Sequence, residues 1–324
     1  MDQILIEIDN HIQKNQLIRT GDTIVAGLSG GPDSVFLLHL LERYRKSHDI
    51  KIIAAHLNHE WREDAQNDVD LSKDLCTRFG IPFIAKKASD LEVSIKNNGS
   101  KEEIARKLRR FFFEQLAAEH GASSIALGHH ANDQQETFFM RLIRGATLSG
   151  LACMKPKDGL YIRPLLQTHK SAIISYLEMN NIPYAHDSTN ESDAFLRNRI
   201  RTSVIPAICL ADSRFEKQFT RTLNHLQETE SFLDDMTEVV FENLTKKGDE
   251  SWHVDLEQFK HLHPFMKKRL LVHWLIVEQA SMVLTEQFLE EIIRFLESSD
   301  KKSHALHHAW LINRTENWFF LSKS

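Results

Sequence analysis

The hexapeptide Ser29, Gly30, Gly31, Pro32, Asp33, Ser34 carries the residue types that most plainly invite chemistry. Two adjacent glycines let backbone amides approach an anion with no Cβ in the way, and a helix beginning at about residue 34 adds its positive N-terminal end. A di- or triphosphate fits such a loop. Pro32 has no N–H, which leaves the amides of Gly30, Gly31, Asp33 and Ser34 as donors beside the Ser29 and Ser34 hydroxyls. The lysine of the phosphate loop G-x-x-x-x-G-K-[ST] is missing, and the Asp33 carboxylate intrudes on the anion site. A carboxylate within about 4–6 Å of phosphate oxygens is repelled unless a cation lies between, and magnesium is the usual solution. The loop therefore asks for a magnesium nucleotide with Asp33 as metal ligand; the plainer alternative is a strand-to-helix turn with Asp33 near the helix start.

A second polar cluster is GHHANDQQET, residues 128–137. His129, His130, Asp133 and Glu136 sit where a strand enters a helix, and Asp133 and Glu136, three residues apart, share one helix face. They suit acid–base work; alternatively Asn132 caps the helix while the two acids complement its dipole. His56 and His59 with His129 and His130 are a further alternative, a transition-metal set that would leave the glycine loop unexplained. In RNRIR, residues 197–201, Arg197 and Arg201 fall on one helix face and Arg199 on another, so two guanidiniums are candidates to neutralise phosphates, or else a solvated face.

These residues need positioning elements. The hydrophobic pattern predicts helix 3–18, strand 23–29, helix 34–47, strand 50–58, helix 63–79 ending at Gly80, and strand 82–88. A helix from about residue 101, opened by Ser100 with Glu103 as a capping box and closed at Gly121, precedes strand 124–129; a fifth strand is expected over 161–166. Alternating strands and helices predict an α/β fold with a doubly wound parallel sheet, because the helices are the crossovers that parallel strands require. Ligands bind such sheets at the carboxyl ends of the strands, where SGGPDS, HLNHEWR (56–62) and GHHANDQQET all fall. Beyond about residue 206 the pattern changes to helical stretches over 212–247, 264–280 and 285–298, then a hairpin. We therefore expect a catalytic domain over 1–210 and a second, mainly helical domain over 211–324.

Composition sets limits. With 42% hydrophobic and 26% charged residues the chain is ordinary globular material. No segment approaches the roughly 18–20 apolar residues of a membrane span, and the acidic, amphipathic N-terminus MDQILIEIDN fits neither a secretory nor a mitochondrial leader, so the expected address is cytoplasmic with no membrane partner. Cys76, Cys153 and Cys209 are far apart and form no C-x-x-C, against a local thiolate metal site. Net charge is −5, even through residue 205 and acidic beyond, so any nucleic acid must be met by local basic patches.

SGGPDS follows the pattern S-G-G-x-D-S of the N-type ATP pyrophosphatases, the PP-loop superfamily, which cleave ATP between the α- and β-phosphates and adenylate a substrate. Together with HLNHEWR, GHHANDQQET, RGATLSGLACM (144–154), RPLL (163–166) and DSTNESDAFLRNRIR (187–201), the first 205 or so residues resemble the tRNA(Ile)-lysidine synthetases in their short architecture. The resemblance implies ATP and magnesium as cofactors, with free L-lysine and an isoleucine tRNA bearing a CAU anticodon as partners. It further implies adenylation of the wobble cytidine followed by displacement of AMP by the lysine ε-amine. Ser29 to Ser34 would hold the nucleotide with Asp33 on magnesium, Asp133 would be a catalytic carboxylate, and the later helices would be a tRNA-binding region. The thiolation branch of the superfamily and small-molecule adenylating amidotransferase-type enzymes are the alternatives; the former typically uses cysteine pairs that this chain lacks. For tRNA contact the candidates are Lys101, Arg106, Lys107, Arg109 and Arg110, followed by Phe111 to Phe113, with Arg141, Arg144 and Lys267 to Arg269 weaker.

Overall fold

A computed structural model describes residues 3–61, 65–93, 101–185, 195–249, 251–280, 282–298, 302–307 and 309–323. The chain divides into two compact units, 1–227 and 228–324. In the first, a six-stranded sheet has the order β3-β2-β1-β4-β6-β5, built from β1 (Thr23–Gly27), β2 (Lys51–Asn58), β3 (Phe83–Lys87), β4 (Ser124–Ala126), β5 (Lys157–Asp158) and β6 (Tyr161–Ile162). All its pairings are parallel except β5 with β6. Its helices are α1 (Gln3–Lys14), α2 (Pro32–His48), α3 (Ala65–Phe79), α4 (Lys101–Glu119), α5 (Ala131–Ile143), α6 (Leu148–Leu151), α7 (Lys170–Met179), α8 (Leu196–Arg199), α9 (Ile205–Ala211) and the start of α10 (Phe215–Leu244).

Burial on both faces explains the near-continuous apolar strands. Ile24, Ala26, Ile52 and Ala54 pack with Phe36, Leu37 and Leu41 of α2 and with Ile173 and Leu177 of α7. Val25, Ala55 and Ile125 pack with Phe112, Phe113 and Leu116 of α4. Phe112 and Phe113 are therefore core, and only Phe111 of that triplet is exposed. Because β1 lies between β2 and β4, the winding direction reverses there, and the crevice at this switch point receives the glycine loop and residues 128–130.

Two element boundaries differ from expectation. The strand expected over 161–166 stops at Ile162, because Pro164 has no N–H to give a ladder and a turn follows, Leu166 N–H donating to the Arg163 carbonyl. The first compact unit runs into α10, where Phe215 and Phe219 pack against Phe138 and Phe139 of α5, with ring centroids 5.2 Å apart for Phe138 and Phe219. The second unit is mainly helical, as expected, and one boundary within it differs. Residues 245–247 leave the helix as β7 (Thr245–Lys247), which turns at Gly248 into β8 (Trp252–Asp255). The terminal hairpin is part of a larger antiparallel sheet, β7-β8-β11-β10-β9, with β9 (Ser303–His307), β10 (Trp310–Arg314) and β11 (Trp318–Lys323). Beside it lie α11 (Leu256–His261), α12 (Pro264–Val277) and α13 (Glu286–Glu297), around Phe259, Trp274 and Phe319. The capping box at Ser100 lies outside the described residues.

Candidate active site

The glycine loop is shaped by its own side chains. Ser29 N–H donates to Ser34 Oγ at 3.0 Å, Ser34 Oγ donates to the Gly31 carbonyl at 2.9 Å, and the two hydroxyls are 3.1 Å apart. Since the Ser34 proton is committed to Gly31, Ser29 must donate in the hydroxyl pair, so both hydroxyl protons stay within the loop. The amides of Gly30, Gly31, Asp33 and Ser34 donate to no described residue and are the orphan donors of the α2 N-terminus. Gly30 has φ +83°, and a Cβ there would lie 3.3 Å from the Asp68 carbonyl, so both backbone and space require glycine.

Gly128 joins this loop to the second cluster: a Cβ on it would meet the Asp33 backbone at 3.0 Å. From there the polar groups run in unbroken contact. His130 Nε2 is 3.5 Å from Asp33 Oδ2. His130 caps α5 reciprocally with Asp133: its N–H donates to Asp133 Oδ2 at 3.0 Å, and Asp133 N–H donates to its Nδ1 at 3.3 Å. Arg197 donates to Asp133 Oδ1 at 2.6 Å and to Glu136 Oε2 at 2.5 Å, and Arg201 donates to Glu136 Oε1 at 2.5 Å. Arg197 and Arg201 do share a face, while Arg199 is exposed. Both guanidiniums are held by the two carboxylates, and Glu136 is only 1% exposed.

Burial pushes the Asp133 carboxyl upward, but His130 and Arg197 outweigh it, and the group lies below the usual carboxylate range. Burial pulls His129 down to about 4, assisted by Arg163, Arg197 and Arg106 against the pull of Asp133, and its Nδ1 is buried without a partner. His129 is thus neutral at pH 7. The unfolded chain binds the proton near pH 6.5 and the folded chain near 4, so this group contributes stability above pH 6.5 that is lost as pH falls towards 4. Urea titrations between pH 7 and 4 should show a shallower loss of stability for His129→Asn than for the parent; equal slopes would contradict the assignment.

Not every expected residue joins the site. His56 is buried and lowered by that burial, and His59 is pulled down to about 4 by burial and Arg109. Among the described residues no three histidine, cysteine or acidic groups converge to hold a metal, so the four histidines form no such set. Asn132 is not the helix cap; its Oδ1 accepts from Lys170 N–H at 3.0 Å, and His130 takes the capping position. Arg141 Nη1 donates to the Gly150 carbonyl at 2.6 Å, holding α6. Arg62 and residues 187–194 lie outside the described residues. Lys267, Lys268 and Arg269 are ion-paired within the second unit, to Glu297, to Glu286 and Glu290, and to Glu230 and Asp234.

Lys170 is the residue that sequence reasoning missed. Its Nζ lies 3.5 Å from Asp33 Oδ2 across 137 positions of sequence, and nothing in RPLLQTHK singles it out. The Asp33 Oδ1 atom is buried without a partner. One carboxylate beside free amides suits magnesium, which takes few protein ligands and completes its shell with phosphate oxygens and water.

This loop at the switch point of a parallel sheet defines a class. The profile of a PP-loop domain family matches residues 3–208, and the chain belongs to that family. It is 37% identical over 259 residues to a tRNA(Ile)-lysidine synthase of Clostridium perfringens, covering 78% of this chain and 55% of that protein. It is 33% identical over 316 residues to the bifunctional protein TilS/HprT of Listeria monocytogenes, covering 94% and 48%. The chain spans about half the length of these curated relatives. A U34-tRNA thiolase, NcsA from Methanococcus maripaludis, shares the fold with a TM-score of 0.59 at 19% identity, over 69% of this chain and 79% of that one. No helix among the described residues is long and apolar enough to cross a membrane.

Proposed function

We propose that this chain forms lysidine: it adenylates the wobble cytidine of an isoleucine tRNA with a CAU anticodon and joins free L-lysine to it, in the cytoplasm. The observation that best supports this reading is the continuous run from the glycine loop through Asp33, His130, Asp133 and Arg197 to Glu136 and Arg201, with the similarity to lysidine synthases beside it. The loop amides would grip the β- and γ-phosphates, so that attack by the cytidine carbonyl oxygen on the α-phosphate releases pyrophosphate from a held position. Magnesium, when bound at Asp33, supplies charge neutralisation of those phosphates.

The second step needs a neutral amine. With an ordinary pKa of about 10.4, deprotonating the lysine ε-ammonium at pH 7 costs about 4.6 kcal/mol. Asp133 and the neutral His129 are the groups we assign to receiving that ammonium; both hold protons weakly, so the proton passes on to solvent. Glu136, enclosed by two arginines, is assigned to positioning them, a narrower role than acid–base catalysis. Arg197 and Arg201 would stabilise the adenylate from that face.

For the tRNA we propose the exposed side of α4. Lys107 is paired with Glu103 and Arg110 with Glu114, whereas Arg106 and Arg109 have no acidic partner among the described residues. Replacing both Arg106 and Arg109 by alanine should weaken tRNA binding and lower the slope of log affinity against log salt by roughly one to two. Fluorescence titrations at several salt concentrations would measure it; an unchanged slope would remove α4 from the interface.

A thiolation reading finds less support. Cys76, Cys153 and Cys209 are all free thiols, and burial raises Cys76 to about 12 and Cys153 to about 11, the reverse of what a reactive thiolate needs. The nucleotide products test the adenylation reading: AMP and pyrophosphate should form in the presence of the tRNA and lysine. ADP as product would exclude the reading, and AMP formed at the same rate without RNA would favour a small-molecule adenylating enzyme.

A further inference from the structure

We propose that Lys170 is the phosphate-binding lysine of this site, delivered to the glycine loop from α7 in place of the lysine that the loop sequence lacks. The inference rests on the nucleotide-binding reading above and deepens it. Phosphate loops of the G-K-[ST] type place a lysine on the β- and γ-phosphates. Here that position in the loop is empty of any cation, and Lys170 reaches the same loop from 137 residues away, with Nζ 3.5 Å from Asp33 Oδ2.

Three observations separate this from an ordinary salt bridge. First, the other cations of the site are committed: Arg197 and Arg201 are held by Asp133 and Glu136, two charges against two. Among the described residues the one acidic partner of Lys170 is Asp33, the carboxylate that we assign to magnesium. Once a metal occupies Asp33, the ammonium has no acidic partner left among the described residues and the nearest anion is the phosphate itself. Second, α7 does not depend on this charge for its place. Ile173 and Leu177 are fully buried, Tyr176 packs edge-on against Phe36 with centroids 5.0 Å apart, and the Lys170 N–H is held by Asn132. Third, the side chain keeps 37% of its exposure, and a lysine stem of four methylenes swings easily from one oxygen to another at that distance. In the nucleotide-free chain Lys170 acts as a stand-in cation for Asp33; with nucleotide bound it moves to the leaving pyrophosphate.

The two products of ATP cleavage test this directly. In calorimetric titrations of the full chain with magnesium pyrophosphate and, separately, with AMP, Lys170→Met should weaken pyrophosphate binding by about tenfold or more while AMP binding stays within about twofold. Lys170→Arg, which keeps the charge, should recover most of the pyrophosphate affinity, and neither variant should move the melting temperature appreciably. Pyrophosphate binding unchanged in Lys170→Met would overturn the proposal. So would an equal loss for both ligands with a lowered melting temperature, since that would make Lys170 a structural contact. If the parent chain itself binds neither ligand, the nucleotide-binding reading fails and this inference with it.

Discussion

Asp33→Asn is expected to lower AMP formation by at least roughly 10²–10³-fold, the range seen when a single group that stabilises developing charge is removed. The substitution keeps size and shape and deletes only the charge. Asp33 Oδ1 is buried with no partner, and Oδ2 faces Lys170 and His130, so a neutral amide there can neither draw a divalent cation into the cradle nor hold those two groups in place. The fold should survive, because α2 is started by Gly31 and Pro32 and is anchored by Val35, Phe36 and Leu37 in the core. Raising magnesium should not restore the rate, since the missing element is the ligand. Quenched-flow measurement of AMP with circular dichroism on the same samples checks both halves; near-parental turnover would remove Asp33 from the metal role.

The double variant Arg197→Ala with Arg201→Ala should lose about 3–5 kcal/mol of stability, the usual consequence of leaving a buried charge without its partner. Glu136, 1% exposed, receives three hydrogen bonds from these arginines at 2.5, 2.5 and 3.2 Å. Without them its carboxylate is left as an unpaired charge in a dry setting. Adding Glu136→Gln to the double variant should return part of the loss, as removing both members of a buried pair is gentler than removing one. The reverse deletion, Glu136→Gln alone, should be milder, because Arg197 and Arg201 are each about a third exposed and can turn to water. Urea unfolding of all three variants measures the pattern; a double variant as stable as the parent would mean that the cluster carries no structural weight.

Local chemistry was legible in the sequence and long-range pairing was not. The glycine loop, the parallel sheet and the strand-end clusters follow from residue types and alternating periodicity, and they set the crevice where the site lies. The shared face of Arg197 and Arg201 also follows from their spacing of four. That both would close on Asp133 and Glu136 does not, because the pairing joins α8 and the helical turn after it to α5 across some sixty positions of chain, as the separations of 61 and 65 show. Lys170 was invisible for the same reason: a lysine opening an amphipathic helix has the signature of a solvated residue. Residues 245–247 read as helix because Thr245 to Lys247 continue a helical pattern in composition, and only pairing with β8 makes them a strand. Asn132 was equally ambiguous, since both it and His130 can cap a helix and only the packing of α7 against α5 decides between them.

The central claim is that one chain both activates a tRNA base and joins lysine to it. Incubating the protein with magnesium ATP, radiolabelled L-lysine and an isoleucine tRNA transcript bearing a CAU anticodon tests it most directly. The label should enter the tRNA at one lysine per molecule, in step with AMP release, and should be absent when the wobble cytidine is replaced by uridine. AMP release with no label on the tRNA, or label that enters regardless of the wobble base, would contradict it.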